Sequence, residues 1–133
     1  MSSFQKNDLK WLDLAFEQAQ MAADMDEVPV GALIVKDDVI LGKGYNLKEK
    51  AHDSTAHAEI MAIREASQKI LNWRLSQCTL YVSLEPCMMC LAASLHARVE
   101  RVVYGTPDLK GGALSLGYKF HEDERLNHKF LVE

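Results

Sequence analysis

Between Gly31 and Leu41 the chain changes its hydrophobic period, and that change limits the folds open to it. Before it, Leu9, Leu12, Phe16, Ala19 and Ala23 recur three to four residues apart, giving one apolar helical stripe that Asn7 or Asp8 can cap. Pro29 ends any continuation, because the residue before a proline is pushed out of the helical region. After it, Ala32-Leu33-Ile34-Val35 and Val39-Ile40-Leu41 flank the polar Lys36-Asp37-Asp38, the pattern of a hairpin. A polar loop from Asn46 to Thr55 leads into Ala56 to Lys69, of helical composition, with Ile60, Ile63 and Ala66 facing inward. Thr79 to Ser83 has the length and apolarity of a buried strand, Cys87 to Ala97 reads as helix opened by Pro86, and Arg101 to Tyr104 as a short strand. Gly111-Gly112 marks a flexible loop, and Lys129 to Val132 supplies a last strand. One helix, two strands, then helix and strand in alternation predict an α/β fold: a mixed five-stranded sheet with helices on both faces, three layers in all. Strands that follow crossover helices should run parallel, with ligands bound beyond their carboxyl ends.

The chain has 133 residues, the size of one domain, and no repeat or linker suggests a boundary, so residues 1–133 are expected to form a single unit. With 48% hydrophobic residues it can bury a core without disulfides. Its polar start lacks the apolar run of a secretory signal, and no stretch is long enough to span a membrane, so a cytoplasmic location is expected. Three cysteines, an odd number, make no disulfide framework; Cys87 and Cys90 read instead as metal-binding or redox-active. A formal net charge of −4 argues against a broad face for nucleic acid but leaves room for a local basic patch.

The chemistry is concentrated in His57-Ala58-Glu59, at the start of the second helix, and Glu85-Pro86-Cys87-Met88-Met89-Cys90, directly after the third strand. Cys87 and Cys90, three apart, project from one helix face, and the helix N-terminus favours their thiolate form. One imidazole and two thiolates suit zinc, and three protein ligands leave a fourth position for water, the mark of a catalytic site. Zinc lowers the pKa of its water to about 7, and Glu59 is placed to move protons between that water, the substrate ring and the departing amine. Taken alone, Cys-x-x-Cys is also a thioredoxin-like redox pair or half a zinc ribbon, but it follows Pro rather than Trp and no second pair exists. A lone His-x-Glu is usually solvated surface; the two motifs together, in this order, reverse that reading. Cys78 is expected as buried packing, and His52, His96, His121 and His128 have no ligand-like spacing. Gly42-Lys43-Gly44 lacks the rest of a phosphate loop, and Met61, Met88 and Met89 read as core or pocket filling.

The combined pattern His-x-Glu with Pro-Cys-x-x-Cys is the signature of zinc deaminases of nucleobases. From about Leu12 to Phe130 the chain resembles the bacterial tRNA-specific adenosine deaminases of the cytidine deaminase superfamily. The resemblance is carried by Glu27 to Ala32, Thr55 to Ile60, Thr79 to Cys90, Arg101 to Gly105 and Leu126-Asn127-His128. Val28-Pro29-Val30-Gly31-Ala32 is the most telling stretch, since free-base guanine deaminases tend to carry Gly-Pro-Phe-Gly-Ala there. The resemblance implies that His57, Cys87 and Cys90 hold one zinc per subunit and that Glu59 shuttles protons. It implies that Asn46 hydrogen-bonds the flipped-out adenine nucleoside, that the Ala58 backbone, Val28 and Leu84 shape the pocket, and that Asp108 contacts ribose. The implied reaction is adenosine to inosine at the wobble position of a tRNA anticodon loop, by a homodimer.

Members of this family usually continue into a further helix beyond the position of Glu133, and place a glycine where this chain has Leu91-Ala92-Ala93. Lys43, Lys48 and Lys50 flank Asn46, and Lys110, Lys119, Arg125 and Lys129 come late; a phosphate-binding rim and an ordinary solvated face are both open readings. Two other functions compete: deamination of a free base or nucleoside, of guanine or cytosine type, and a non-catalytic zinc-stabilised binding module.

Overall fold

The computed structural model describes residues 5–133. Helix α1 (Asp8–Asp24) is followed by strands β1 (Gly31–Lys36) and β2 (Val39–Tyr45), helix α2 (Ala58–Ile70), strand β3 (Thr79–Leu84), helix α3 (Met88–His96), strand β4 (Arg101–Thr106), a 3₁₀ turn (Phe120–Glu122) and strand β5 (Leu131–Val132). The strands form one sheet in the order β2-β1-β3-β4-β5. β1 runs antiparallel to β2 and to β3, while β3, β4 and β5 are parallel. The mixed five-stranded sheet with helices on both faces is therefore as expected. Among the described residues no helix is long and apolar enough to cross a membrane.

Alternation along the strands builds two cores. Ala32 and Ile34, Leu80 and Val82, and Val102 point to the face covered by α2 and α3. Leu33 and Val35, Tyr81, and Val103 point to the opposite face, where Trp11, Leu12 and Ala15 of α1 pack. Between β1 and β2, Asp37 and Asp38 both have positive φ (49° and 61°), the backbone of a two-residue turn whose twist matches the strands it joins.

Several sequence expectations shift by a few residues. In α1 the inward face is Asp8, Trp11, Leu12, Ala15, Ala19 and Ala22, whereas Leu9 is 65% and Phe16 46% exposed. The helix turns its alanines to the sheet because Gly31 lies beneath them; a Cβ there would run into the Ala15 carbonyl and the Ala19 amide. Asn7 occupies the N-cap position without a side-chain cap bond, and Asp8 is buried instead of capping. In α2 the buried apolar residues are Ala58, Ala62 and Ala66, with Ile60 and Ile63 only half-buried. The cause is the same: α2 lies across Gly42 and Gly44, which belong to a β2 that extends to Tyr45, beyond the expected Leu41. A Cβ on Gly44 would meet the Ala58 carbonyl, the Ala62 amide (2.7 Å) and the Ala62 neighbour Met61 Cβ (2.8 Å). Two of those are backbone atoms that no rotamer change can move. Gly44→Ala should cost at least about 2–3 kcal/mol, read as a lower urea midpoint, and a change under about 0.5 kcal/mol would refute this account.

The sheet's connectivity also places the ends that matter. Because β1 is antiparallel to both neighbours, its start lies beside the ends of β2 and β3. The segment before β1, the residues after β2 and β3, and the first turns of α2 and α3 thus converge at one end of the strands, the carboxyl ends of β2 and β3.

Candidate active site

His57 is the N-cap residue of α2 and Cys87 that of α3, both in extended backbone and neither spending its side chain on a cap bond. Each side chain is therefore free to point off its helix end, and Cys90 follows in the first turn of α3. His57 Nδ1 lies 3.6 Å from Cys87 Sγ and 3.6 Å from Cys90 Sγ. All three donor atoms fall within 4.8 Å of one another, so the trio can hold a metal ion. The Cys90 thiol, the backbone N–H groups of Cys90 and Met89 at the helix end, and the His57 ring hold the Cys87 thiol down to about 5, against its burial. Its hydrogen bond to Cys87, burial and the nearby Glu59 carboxyl push the Cys90 thiol up.

Glu59, in the first turn of α2, is 3% exposed. Burial lifts its carboxyl to about 7, with the Cys87 charge adding and its own backbone N–H opposing. It thus sits near the pH at which a group can both give and take a proton.

His57, Cys87 and Glu59 meet at a cavity of about 240 Å³ lined also by Val28, Val30, Asn46, Lys48, Ala58, Leu84, Glu85 and Asp108. Every residue that the sequence singled out for substrate contact lies in this wall; Cys90 sits buried behind it. Asn46 is buried, its Nδ2 donating to the Val28 carbonyl (3.3 Å) and its Oδ1 accepting from the Lys48 amide (3.0 Å). An amide side chain has two N–H donors and two acceptor lone pairs, so one of each remains for a ligand. Asp108 Oδ1 accepts from the amides of Lys110 and Gly111, each at 3.1 Å, which folds the carboxylate into its own loop.

Sequence reasoning missed what fixes the walls. Glu85 is buried, and its carboxylate accepts from the Asp108 amide (3.2 Å) and from the amide (2.9 Å) and hydroxyl (2.7 Å) of Ser115. Burial raises its carboxyl, but these bonds outweigh that and hold it below the usual range, ionised. The loop at Gly111-Gly112, expected to be flexible, is tied down: Gly112 is buried against the Glu85 carboxylate, leaving no space for a Cβ. On the other wall, the buried Glu27 accepts from the amides of Glu49 (3.0 Å) and Lys50 (2.7 Å), fixing the loop that follows Asn46. Neither brace has a sequence signature, since their partners lie 22 to 30 residues away. Of the residues expected as core or pocket filling, Met88 is 54% exposed, and neither it, Met61 nor Met89 lines the cavity. Cys78 is buried, as expected.

Comparison with known proteins gives the family. Residues 6–130 match the family model of the MafB19-like deaminases. A tRNA-specific adenosine deaminase of Haemophilus influenzae is 46% identical over 126 residues, which are 94% of this chain and 73% of that one. Among solved structures, a tRNA:A34 deaminase that edits A to I at the wobble position of transfer RNA superposes with a TM-score of 0.88 at 40% identity, covering 94% of this chain and 91% of its own. The guanine deaminase of Bacillus subtilis shares the fold at a TM-score of 0.76 and 36% identity, covering 86% of this chain and 72% of its own. Likeness that spans nearly the whole chain, on one shared fold, fixes the assignment: this protein belongs to the MafB19-like deaminases and to the tRNA-specific adenosine deaminase family.

Proposed function

We propose that the protein hydrolyses adenosine to inosine at the wobble position of a tRNA anticodon, with a zinc ion held by His57, Cys87 and Cys90. The observation that carries this reading is the meeting, at one cavity, of His57, Cys87 and a buried glutamate poised near neutrality, with the buried Cys90 completing the His/Cys/Cys trio. Zinc fits the donors by distance as well as by type. Tetrahedral bonds of about 2.05 Å to nitrogen and 2.3 Å to sulfur put those atoms roughly 3.6 Å apart, the separation found for both cysteines. When bound, zinc acidifies water and so supplies the nucleophile at neutral pH.

The chain's own residues supply the rest. Asn46 and the Ala58 backbone orient the base, while Val28 and Leu84 flank its ring. As water adds to C6 of the adenine, Glu59 takes its proton and passes it to N1; a second transfer through the same carboxyl lets the amine leave as ammonia. The net reaction is adenosine plus water to inosine plus ammonia. The greater identity to the tRNA enzyme than to the guanine deaminase, with Val28-Pro29-Val30 at the wall, supports adenosine over a free base.

A test offers purified protein an anticodon stem-loop with wobble adenosine beside free adenosine, cytidine and guanine, with elemental analysis of the same sample. Inosine confined to the stem-loop, with one zinc per chain, is expected. Stripping the metal with a chelator should reduce turnover to background, and zinc should restore it. Turnover of guanine with an untouched stem-loop would overturn the assignment, and full activity without metal would overturn the zinc site.

A further inference from the structure

A base-sized cavity does not by itself select a nucleotide in a chain over a free nucleoside; one side chain at its mouth bears on that choice. Lys48 is the only lysine or arginine among the lining residues. The other basic residues near Asn46 face elsewhere: Lys43 lines a separate groove with Glu65, and Lys50 a depression with Asp26 and Glu49. Later in the chain, Arg125 pairs with Asp123 and Lys129 with Glu124, both at 2.7 Å. Among the described residues Lys48 has no ion-pair partner, although the cavity wall also contains Glu59, Glu85 and Asp108. Each of these acids is engaged or held away: Glu85 by Ser115 and Asp108, Asp108 by Lys110 and Gly111, Glu59 by its burial.

The backbone beneath Lys48 is fixed while its side chain is exposed. Its amide donates to Asn46 Oδ1 (3.0 Å), its carbonyl accepts from the Asp53 amide (3.1 Å), and the next two amides are held by Glu27. Lys48 is thus a mobile point charge on a rigid base, beside the amide that addresses the nucleoside. We infer that Lys48 takes a backbone phosphate adjoining the deaminated nucleotide, so that the site favours a nucleotide within a phosphodiester chain over the free nucleoside. The inference rests on the function proposed above. A flexible ammonium suits a phosphate whose position shifts as the base enters, and phosphate contacts position a substrate without reading its sequence.

The test compares wild type, Lys48→Ala, Lys48→Glu and Lys48→Arg for stem-loop affinity, by fluorescence anisotropy, and for deamination. Lys48→Ala should weaken binding about five- to tenfold at roughly 0.1 M salt and reduce the slope of log affinity against log salt by about 0.7, the share of one phosphate on a single strand. Lys48→Glu should lose more, and Lys48→Arg should stay near wild type. A stem-loop with uncharged methylphosphonate linkages on both sides of the wobble adenosine should bind wild type as weakly as Lys48→Ala binds the ordinary one, and Lys48→Ala no more weakly still. Equal affinity and slope for wild type and Lys48→Ala would overturn the inference, as would a Lys48→Ala defect that survives in full on the neutral linkages. If wild type binds the stem-loop through Lys48 but never deaminates it, the proposed function falls and the phosphate contact stands; if wild type does not bind it, both fall.

Discussion

Glu59→Gln is expected to lower turnover by about 10²–10⁴-fold, the usual contribution of a positioned acid–base group, while the fold and metal content stay at wild-type levels. The glutamine side chain has the volume of the glutamate and keeps an oxygen toward the cavity, so packing in the first turn of α2 is preserved. What it loses is the ionisable carboxyl that takes up and releases a proton. Glu59 is not one of the three donors around the metal position, so elemental analysis should find the same metal content in variant and wild type. Circular dichroism and thermal melting should likewise agree. Retention of more than a tenth of wild-type turnover would show that another group moves the protons, and loss of metal would show that Glu59 holds the site rather than working in it. The same variant separates an enzyme from a zinc-stabilised binding module, since a purely structural site has no use for a carboxyl lifted by burial to about 7.

Local pattern made much of this protein legible, because its chemistry is local. Cys87 and Cys90 are three apart at one helix end, so spacing alone puts them on one face. His57 and Glu59, two apart, reach the same site because His57 is the N-cap in extended backbone just ahead of the first turn that carries Glu59. That both helix ends should meet follows from the sheet: two strands before α2 and one before α3 bring both helix starts to the same end of the strands. Sequence and structure part where packing overrides composition. Size and apolarity place Leu9 and Phe16 on the inner face of α1, yet the helix seats on Gly31 through alanines. The same holds at Ala58, Ala62 and Ala66 over Gly42 and Gly44. In both places small residues let backbones approach, a signal that hydrophobicity does not carry. Glu27 and Glu85 were equally invisible as braces, because what they satisfy is backbone amides, which every sequence position has. Asp8 is the clearest case: it has the residue type and place of a helix cap, and its true partner is 93 positions away.

Breaking that partnership should produce the largest loss of stability. Asp8 is fully buried at the start of α1, and Arg101, at the start of β4, is 3% exposed. Arg101 Nη2 lies 2.8 Å from Asp8 Oδ2 and 2.7 Å from Glu133 Oε2, and the Tyr81 hydroxyl donates to Asp8 Oδ1 at 2.6 Å. These contacts join α1, β3, β4 and the residue after β5. Burial pushes the Asp8 carboxyl up, but hydrogen bonds from Arg101, Tyr81 and Gln5 outweigh it and hold the carboxyl below its usual range. A carboxyl depressed in the folded state contributes stability above its unfolded pKa, and that contribution is lost as pH falls through the folded value. Removing one member of a buried pair strands the other's charge, so Arg101→Met should cost about 3–5 kcal/mol, or roughly 10–20 °C in melting temperature for a chain of this size. The loss should shrink at acid pH, where Asp8 is protonated in both states. The double variant Asp8→Leu with Arg101→Met should recover at least half of it, because the fully buried Asp8 charge is then gone, although the Tyr81 hydroxyl loses its acceptor and Glu133 still loses its contact with Arg101. At temperatures where it remains folded, Arg101→Met should deaminate at the wild-type rate, since Arg101 is not among the residues that line the cavity. A melting point within a few degrees of wild type would mean that water reaches the stranded carboxylate, and that the pair sets the register of α1 on the sheet rather than its stability.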